Sequence, residues 1–204
     1  MEAFHKAWPG VGIGGSLALD LVNTLDWRLR EAPVEQLHAF ADLLRWAWTA
    51  GILEPSEARS LRAWGQSHPR AARRALAEAI EVREAIAAVF QAVARGEGVP
   101  AGPLARLDAA CRQAWAGRTL RPAGAGAVWE WREGGPGRPG MAAALDAARL
   151  LTSPERGRVR ECGDAQCGWL FVDSSRNRSR RWCNMQGCGN RNKARRFYRR
   201  QHNP

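Results

Sequence analysis

Lysine is nearly absent: only Lys6 and Lys193 occur among the 31 basic residues of this 204-residue chain, so its positive charge is almost wholly arginine. Arginine used to that extent reflects GC-rich coding as well as function, and the net charge of +11 says less than its distribution. No apolar run is long enough for a transmembrane helix. The stretch Ala7 to Leu19 is short, rich in glycine and ended by Asp20. The opening MEAFHKAWPG lacks the basic stretch and apolar core of an export signal. Five cysteines are an odd number, so a disulfide framework would leave one over, and a chain without an export signal stays where thiols are reduced. A cytoplasmic protein is expected. The four histidines, His5, His38, His68 and His202, are scattered without metal-binding spacing, and no GxSxG, phosphate loop or paired-carboxylate motif occurs. Gly10-x-Gly12-x-Gly14-Gly15 is spaced wrongly for a dinucleotide loop and follows no strand. These absences argue against an enzyme.

What is present is ordinary globular composition, 45% hydrophobic and 25% charged, in a length that holds one domain plus a small appendage. Residues 1–152 carry 18 basic and 16 acidic side chains, whereas residues 153–204 carry 13 basic and 4 acidic. The excess charge thus sits in the last quarter, the distribution expected of a nucleic-acid-binding appendage.

Periodicity predicts a helix from Ser16 with Leu17, Leu21, Leu25 and Leu29 on one face, and a second from about Val34 to a stop at Gly51. A third follows Pro55, a long fourth runs from Ala71 to Arg95, and a fifth from about Pro103 buries Cys111 as a small core residue. Between Arg118 and Arg132 a Gly-rich turn and the alternating Val128-Trp129-Glu130-Trp131 predict a hairpin. A Pro/Gly linker leads to a sixth helix ending near Leu151, and Ser153-Pro154 is the expected boundary. The fold class read from this pattern is mainly α with a small hairpin (α+β) over residues 1–152, followed by a four-cysteine module of hairpin plus helix over 153–204.

In that module the cysteines fall as Cys162-x4-Cys167 and Cys183-x4-Cys188, fifteen residues apart. Two such knuckles can converge four thiolates on one tetrahedral metal, and with no open position a single Zn2+ there would be structural. Disulfides and an iron–sulfur cluster are the alternative chemistries. Trp169-Leu170-Phe171-Val172 reads as a strand able to pair with Arg158-Val159-Arg160-Glu161, and Asn190 to Gln201 as a helix. On a helical wheel Ala194, Phe197, Tyr198 and Gln201 share one side, by which the helix could dock. Arg191, Lys193, Arg195, Arg196, Arg199 and Arg200 spread over the other. Arg176, Arg178, Arg180 and Arg181 precede Trp182, itself expected to pack on the metal core. Ten cations in 25 residues without an acid repel each other unless a polyanion covers them. DNA is the expected partner, with RNA or an acidic protein surface such as that of RNA polymerase as rivals.

In the helical part, Asp20, Asn23, Thr24 and Trp27 share a face of the first predicted helix, and Arg83 falls within the apolar arc of Leu76, Ile80, Ala87 and Phe90. A buried guanidinium requires an acceptor. Asp20 is the candidate partner in a core ion pair; the rival reading is a polar pocket for a small-molecule effector walled by Trp27.

The tail resembles the CGNR zinc-finger family through Cys188-Gly189-Asn190-Arg191, Phe171-Val172-Asp173, Arg180-Arg181-Trp182-Cys183 and Asn192-Lys193-Ala194-Arg195-Arg196. The part before it resembles the ABATE domain through Gly15-Ser16-Leu17-Ala18-Leu19-Asp20-Leu21-Val22-Asn23-Thr24 and, more loosely, Val82-Arg83-Glu84-Ala85. That resemblance implies a bacterial, stress-related transcription regulator with a DNA-binding finger.

Overall fold

Alanine dominates the helix-facing positions of this chain, and small side chains let helices approach closely; the computed structural model, which describes residues 8–132 and 134–202, is built on that. Residues 1–7 of the leading segment, His5 and Lys6 among them, lie outside the described residues. Helix α4 (Pro69–Arg95) is the axis of the fold. At 27 residues it is about 40 Å long. It ends on Gly96 in the left-handed conformation, φ +71°, which costs a residue without Cβ nothing. Around it pack α1 (Leu17–Val22), α2 (Phe40–Thr49), α3 (Pro55–Ser67), α5 (Ala101–Ala116) and α6 (Arg138–Thr152). Helix α6 comes close to α4, where a Cβ on Gly140 would lie 3.2 Å from the Ala79 Cα. Trp46, Phe90, Leu19, Leu43, Leu44, Ile86 and Leu150 are fully enclosed.

The third to sixth helices stand where periodicity placed them, and β3 (Arg118–Ala123) and β4 (Gly126–Trp131) form the expected antiparallel hairpin. The first two helices are shorter than expected. Leucine at 17, 21, 25 and 29 suits a helix, but α1 stops at Val22 because Thr24 Oγ1 donates back to the Leu21 carbonyl and Asn23 leaves the helix to bond a distant strand. Leu25–Asp26 instead forms β1, paired with β2 (Val34–Glu35), which removes Val34 from the second helix. That helix begins at Phe40, where the Asp42 carboxylate accepts the N–H groups of His38 and Ala39. Ser16 precedes α1 without capping it; its hydroxyl donates to Asp146. Cys111 is half-buried on α5, its thiol donating to the Ala144 carbonyl.

After α6 a single 3-10 turn (Pro154–Arg158) leads into β5 (Val159–Glu161), which pairs antiparallel with β6 (Leu170–Val172) as expected. This hairpin has two buried sides. Val159 and Leu170 join the helical core, while Phe171 closes over the four cysteines with Ile13, Trp169 and Trp182. The tail thus contributes side chains to the core of the helical part.

Candidate metal centre and basic surface

The first knuckle hangs from the β5–β6 hairpin. Cys162 N–H donates to the Trp169 carbonyl and Cys167 N–H to that of Asp164. The second is wound as a π-helical turn (Met185–Gly189) that runs directly into α7 (Asn190–His202). All four thiols are buried, and their Sγ atoms lie within 4.8 Å of one another. Cys167 to Cys183 is 3.8 Å and Cys183 to Cys188 is 3.6 Å. A tetrahedron with metal–sulfur bonds of about 2.3 Å has edges of about 3.8 Å. A disulfide would need about 2.05 Å. None of the cysteines is bridged. Without a cation the four sulfurs cannot all ionise: hydrogen bonds from the Cys167 and Cys183 thiols hold Cys162 low, and their own protons are held correspondingly high. The donor set therefore fits one zinc ion bound by Cys162, Cys167, Cys183 and Cys188. Four protein sulfurs fill the tetrahedron, so the ion ties the two knuckles together and offers no open position.

Two buried aspartates organise what surrounds the sulfurs. Asp164 accepts from Gln166 N–H, Arg191 Nε (3.1 Å) and Asn192 Nδ2 (2.9 Å), and Arg195 Nη1 stands 3.5 Å away. Burial would raise its carboxyl, but the Gln166 N–H and the Arg191 guanidinium outweigh it and hold it below the ordinary range. Asp173 accepts from Ser175 and from the Arg180 N–H, pinning the loop that carries Arg176 and Arg178. The sequence reading assigned neither aspartate a role. Their signal was the scarcity of acids in the tail: four, two of them here. Met185 folds over Gly189, where a Cβ would lie 2.7 Å from its Sδ, so a larger residue there would turn that exposed side chain aside.

The ten predicted nucleic-acid-binding cations divide into two groups. Arg180 is internal: it donates to the carbonyls of Ile13, Trp182 and Cys183 and lies over the Phe171 ring at 4.2 Å. Arg191 is half-buried and turned to the zinc core, donating to Cys188 Sγ at 3.1 Å and covering the Trp27 ring at 4.3 Å. Its positive charge offsets that of a zinc–tetrathiolate group. Arg176, Arg178, Arg181, Lys193, Arg196, Arg199 and Arg200 are exposed, and Arg195 is half-exposed. Helix α7 does not dock by its aromatics. Phe197 and Tyr198 are 59% and 61% exposed. The first turn holds the helix instead, because the buried Asp164 carboxylate is a stronger anchor than two rings.

The helical part also differs from expectation in its polar pairing. Arg83, 2% exposed, does not meet Asp20. It makes a bidentate pair with Glu35 (2.7 Å at both nitrogens), donates through Nε to Glu84 (2.8 Å) and through Nη1 to Thr24 Oγ1 (3.2 Å). Asp20 accepts instead from the Gly12 and Gly14 N–H groups, fixing the lead-in loop. Two amide donors suffice for it, and Glu35 reaches Arg83 from the β2 strand that the predicted helix had concealed. Asn23 bonds Leu170 through both its amide oxygen and nitrogen, as a strand backbone would. Of the five residues proposed for a polar pocket, Trp27 lines a cavity that it shares with the zinc knuckles.

A family model named ABATE, described as "putative stress-induced transcription regulator", matches residues 15–154, and a model of the CGNR zinc finger matches residues 158–201. No curated protein matches the chain. Among the described residues no helix is long and apolar enough to cross a membrane.

Proposed function

This chain belongs to the ABATE family and ends in a CGNR zinc finger, and we propose that it regulates transcription by binding DNA through the zinc-organised tail. One observation carries the reading. From Arg196 to Gln201 every residue of α7 is exposed, so the helix projects cations from a zinc core that holds its start through Arg191, Asn192 and Arg195. With Lys193 and Arg195 earlier on the helix and Arg176, Arg178 and Arg181 on the Asp173-pinned loop, the tail presents eight outward cations, and among the described residues the acid paired with one of them is Asp164, at Arg195. Repulsion among them is relieved by a polyanion. A helix of this kind suits a groove lined by phosphates. Zinc supplies rigidity; the chain's own residues supply the contacts, and no catalytic step is assigned to them. In this reading the helical part is the scaffold against which the finger is braced, through Asn23, Gly14 and Arg28.

The test is competition. Zinc-loaded full chain is titrated with labelled genomic duplex fragments against unlabelled duplex, structured RNA and an acidic protein. Duplex DNA should displace the label best, with some fragments retained preferentially. If only the acidic protein binds saturably, the chain is an adaptor; if structured RNA displaces best, it is an RNA-binding protein.

A further inference from the structure

A cavity of about 380 Å³ lies between the N-terminal domain and the zinc knuckles. That is the size of a small-molecule site. Its two sides differ in chemistry. On the helical side, Asp26 Oδ2 accepts from Gln36 Nε2, and Asp26 has no cationic partner among the described residues. Burial pushes its carboxyl above the ordinary range, the condition under which a counter-ion stabilises most. On the zinc side, Arg191 gives Nε to Asp164 and Nη2 to Cys188, and its Nη1 has no acceptor among the described residues. Asn184 accepts from Gln186 N–H through Oδ1, and its own amide N–H groups have no acceptor among the described residues. Trp169 lines the space between, beside Trp27, whose ring lies under the guanidinium groups of Arg30 at 3.5 Å and Arg191 at 4.3 Å. Trp27 holds φ +54°, a left-handed conformation that a bulky residue adopts only where its surroundings impose it.

An acceptor on one side, donors on the other and aromatic walls between them are the requirements of a molecule that carries both charges on an apolar body. We propose that this cavity binds a small zwitterion of amino-acid type, its ammonium on Asp26 and its carboxylate on Arg191 and Asn184. Neutral amides would leave both charged groups unmatched, and a simple carboxylate would leave Asp26 facing it. Because Arg191 also holds Asp164 and Cys188, occupancy strengthens the shell around the zinc thiolates.

The experiment contains no nucleic acid, so its outcome is independent of the DNA reading. Isothermal titration calorimetry on the zinc-loaded full chain uses L-phenylalanine and 6-aminohexanoate, which differ in the separation of their charges. L-phenylalaninamide and N-acetyl-L-phenylalanine each lack one charge. At least one of the two zwitterions should bind at one site per chain, with a loss of about tenfold or more when either charge is removed. It should also slow the extraction of zinc by a chelator. Asp26→Asn should weaken binding by a similar factor at unchanged zinc content. Asn184→Asp, which keeps the acceptor for Gln186 but puts a carboxylate against that of the ligand, should abolish it. Failure of both zwitterions to bind at millimolar concentration, equal binding of the singly charged derivatives, or indifference to both substitutions in folded protein would overturn the proposal.

Discussion

Replacing Glu35 with glutamine keeps the shape of the side chain and removes the charge that faces Arg83. The Arg83 side chain is 3% exposed, and its guanidinium is held at 2.7 Å by both carboxylate oxygens. Breaking a buried pair by removing one partner costs about 3–5 kcal/mol. Two features lessen that cost here: the Glu35 side chain is 31% exposed, and Glu84 remains 2.8 Å from Arg83. A loss of about 2–3 kcal/mol is therefore expected for Glu35→Gln. The partner is identified by a double-mutant cycle. Arg83→Met combined with Glu35→Gln should couple by about 1–3 kcal/mol, whereas Arg83→Met combined with Asp20→Asn should be additive within about 0.5 kcal/mol. Urea unfolding of zinc-loaded protein, followed by far-UV circular dichroism and tryptophan fluorescence, measures both; coincidence of the two probes is required before free energies are compared. Glu35→Gln as stable as the parent, or coupling to Asp20 in place of Glu35, would refute the pairing.

The same network makes stability depend on pH in a definite direction. Burial alone would raise Glu35 and Glu84, but hydrogen bonds from Arg83 and Arg28 hold both below their value of 4.5 in the unfolded chain. Their contribution is complete above about pH 4.5 and is lost as the pH falls through the folded-state values; Glu35→Gln should flatten that acid limb in a thermal melting series. Asp164→Ala removes the acceptor shared by Arg191 and Asn192, so zinc affinity measured by chelator competition should fall by about 10–100-fold with all four sulfurs intact. Gly140→Ala places a methyl against Ala79 of α4 and should destabilise by about 1–3 kcal/mol in the same urea assay.

Long, punctuated segments were legible in the sequence because their signal is local. Pro55, Gly96, Pro103 and the Gly124 turn bracket elements whose periodicity the structure reproduces. The four cysteines were legible for the same reason, spacing alone converging them. The end of α1 was not, because Asn23 leaves the helix for Leu170, 147 residues away. Burial of Arg83 followed from its place in an apolar arc, but its acceptor came from a two-residue strand too short to show periodicity. In the tail, the sign of the charge was plain and its orientation was not. A run of arginines does not reveal that Arg180 turns to backbone carbonyls and Arg191 to a thiolate, which depends on where Ile13, Asp164 and Trp27 arrive from elsewhere.

If zinc fixes one end of α7 so that its outward cations meet phosphates, duplex binding by zinc-loaded protein depends steeply on salt. If about five of the eight outward cations engage phosphates, the log–log slope of affinity against salt is about −4 to −5, a loss of a few hundredfold between about 50 and 200 mM. Arg196→Gln with Arg199→Gln should lower that slope by about two units and leave zinc content unchanged. Absence of measurable duplex affinity near 50 mM salt, or a slope that these two substitutions leave untouched, would contradict the account.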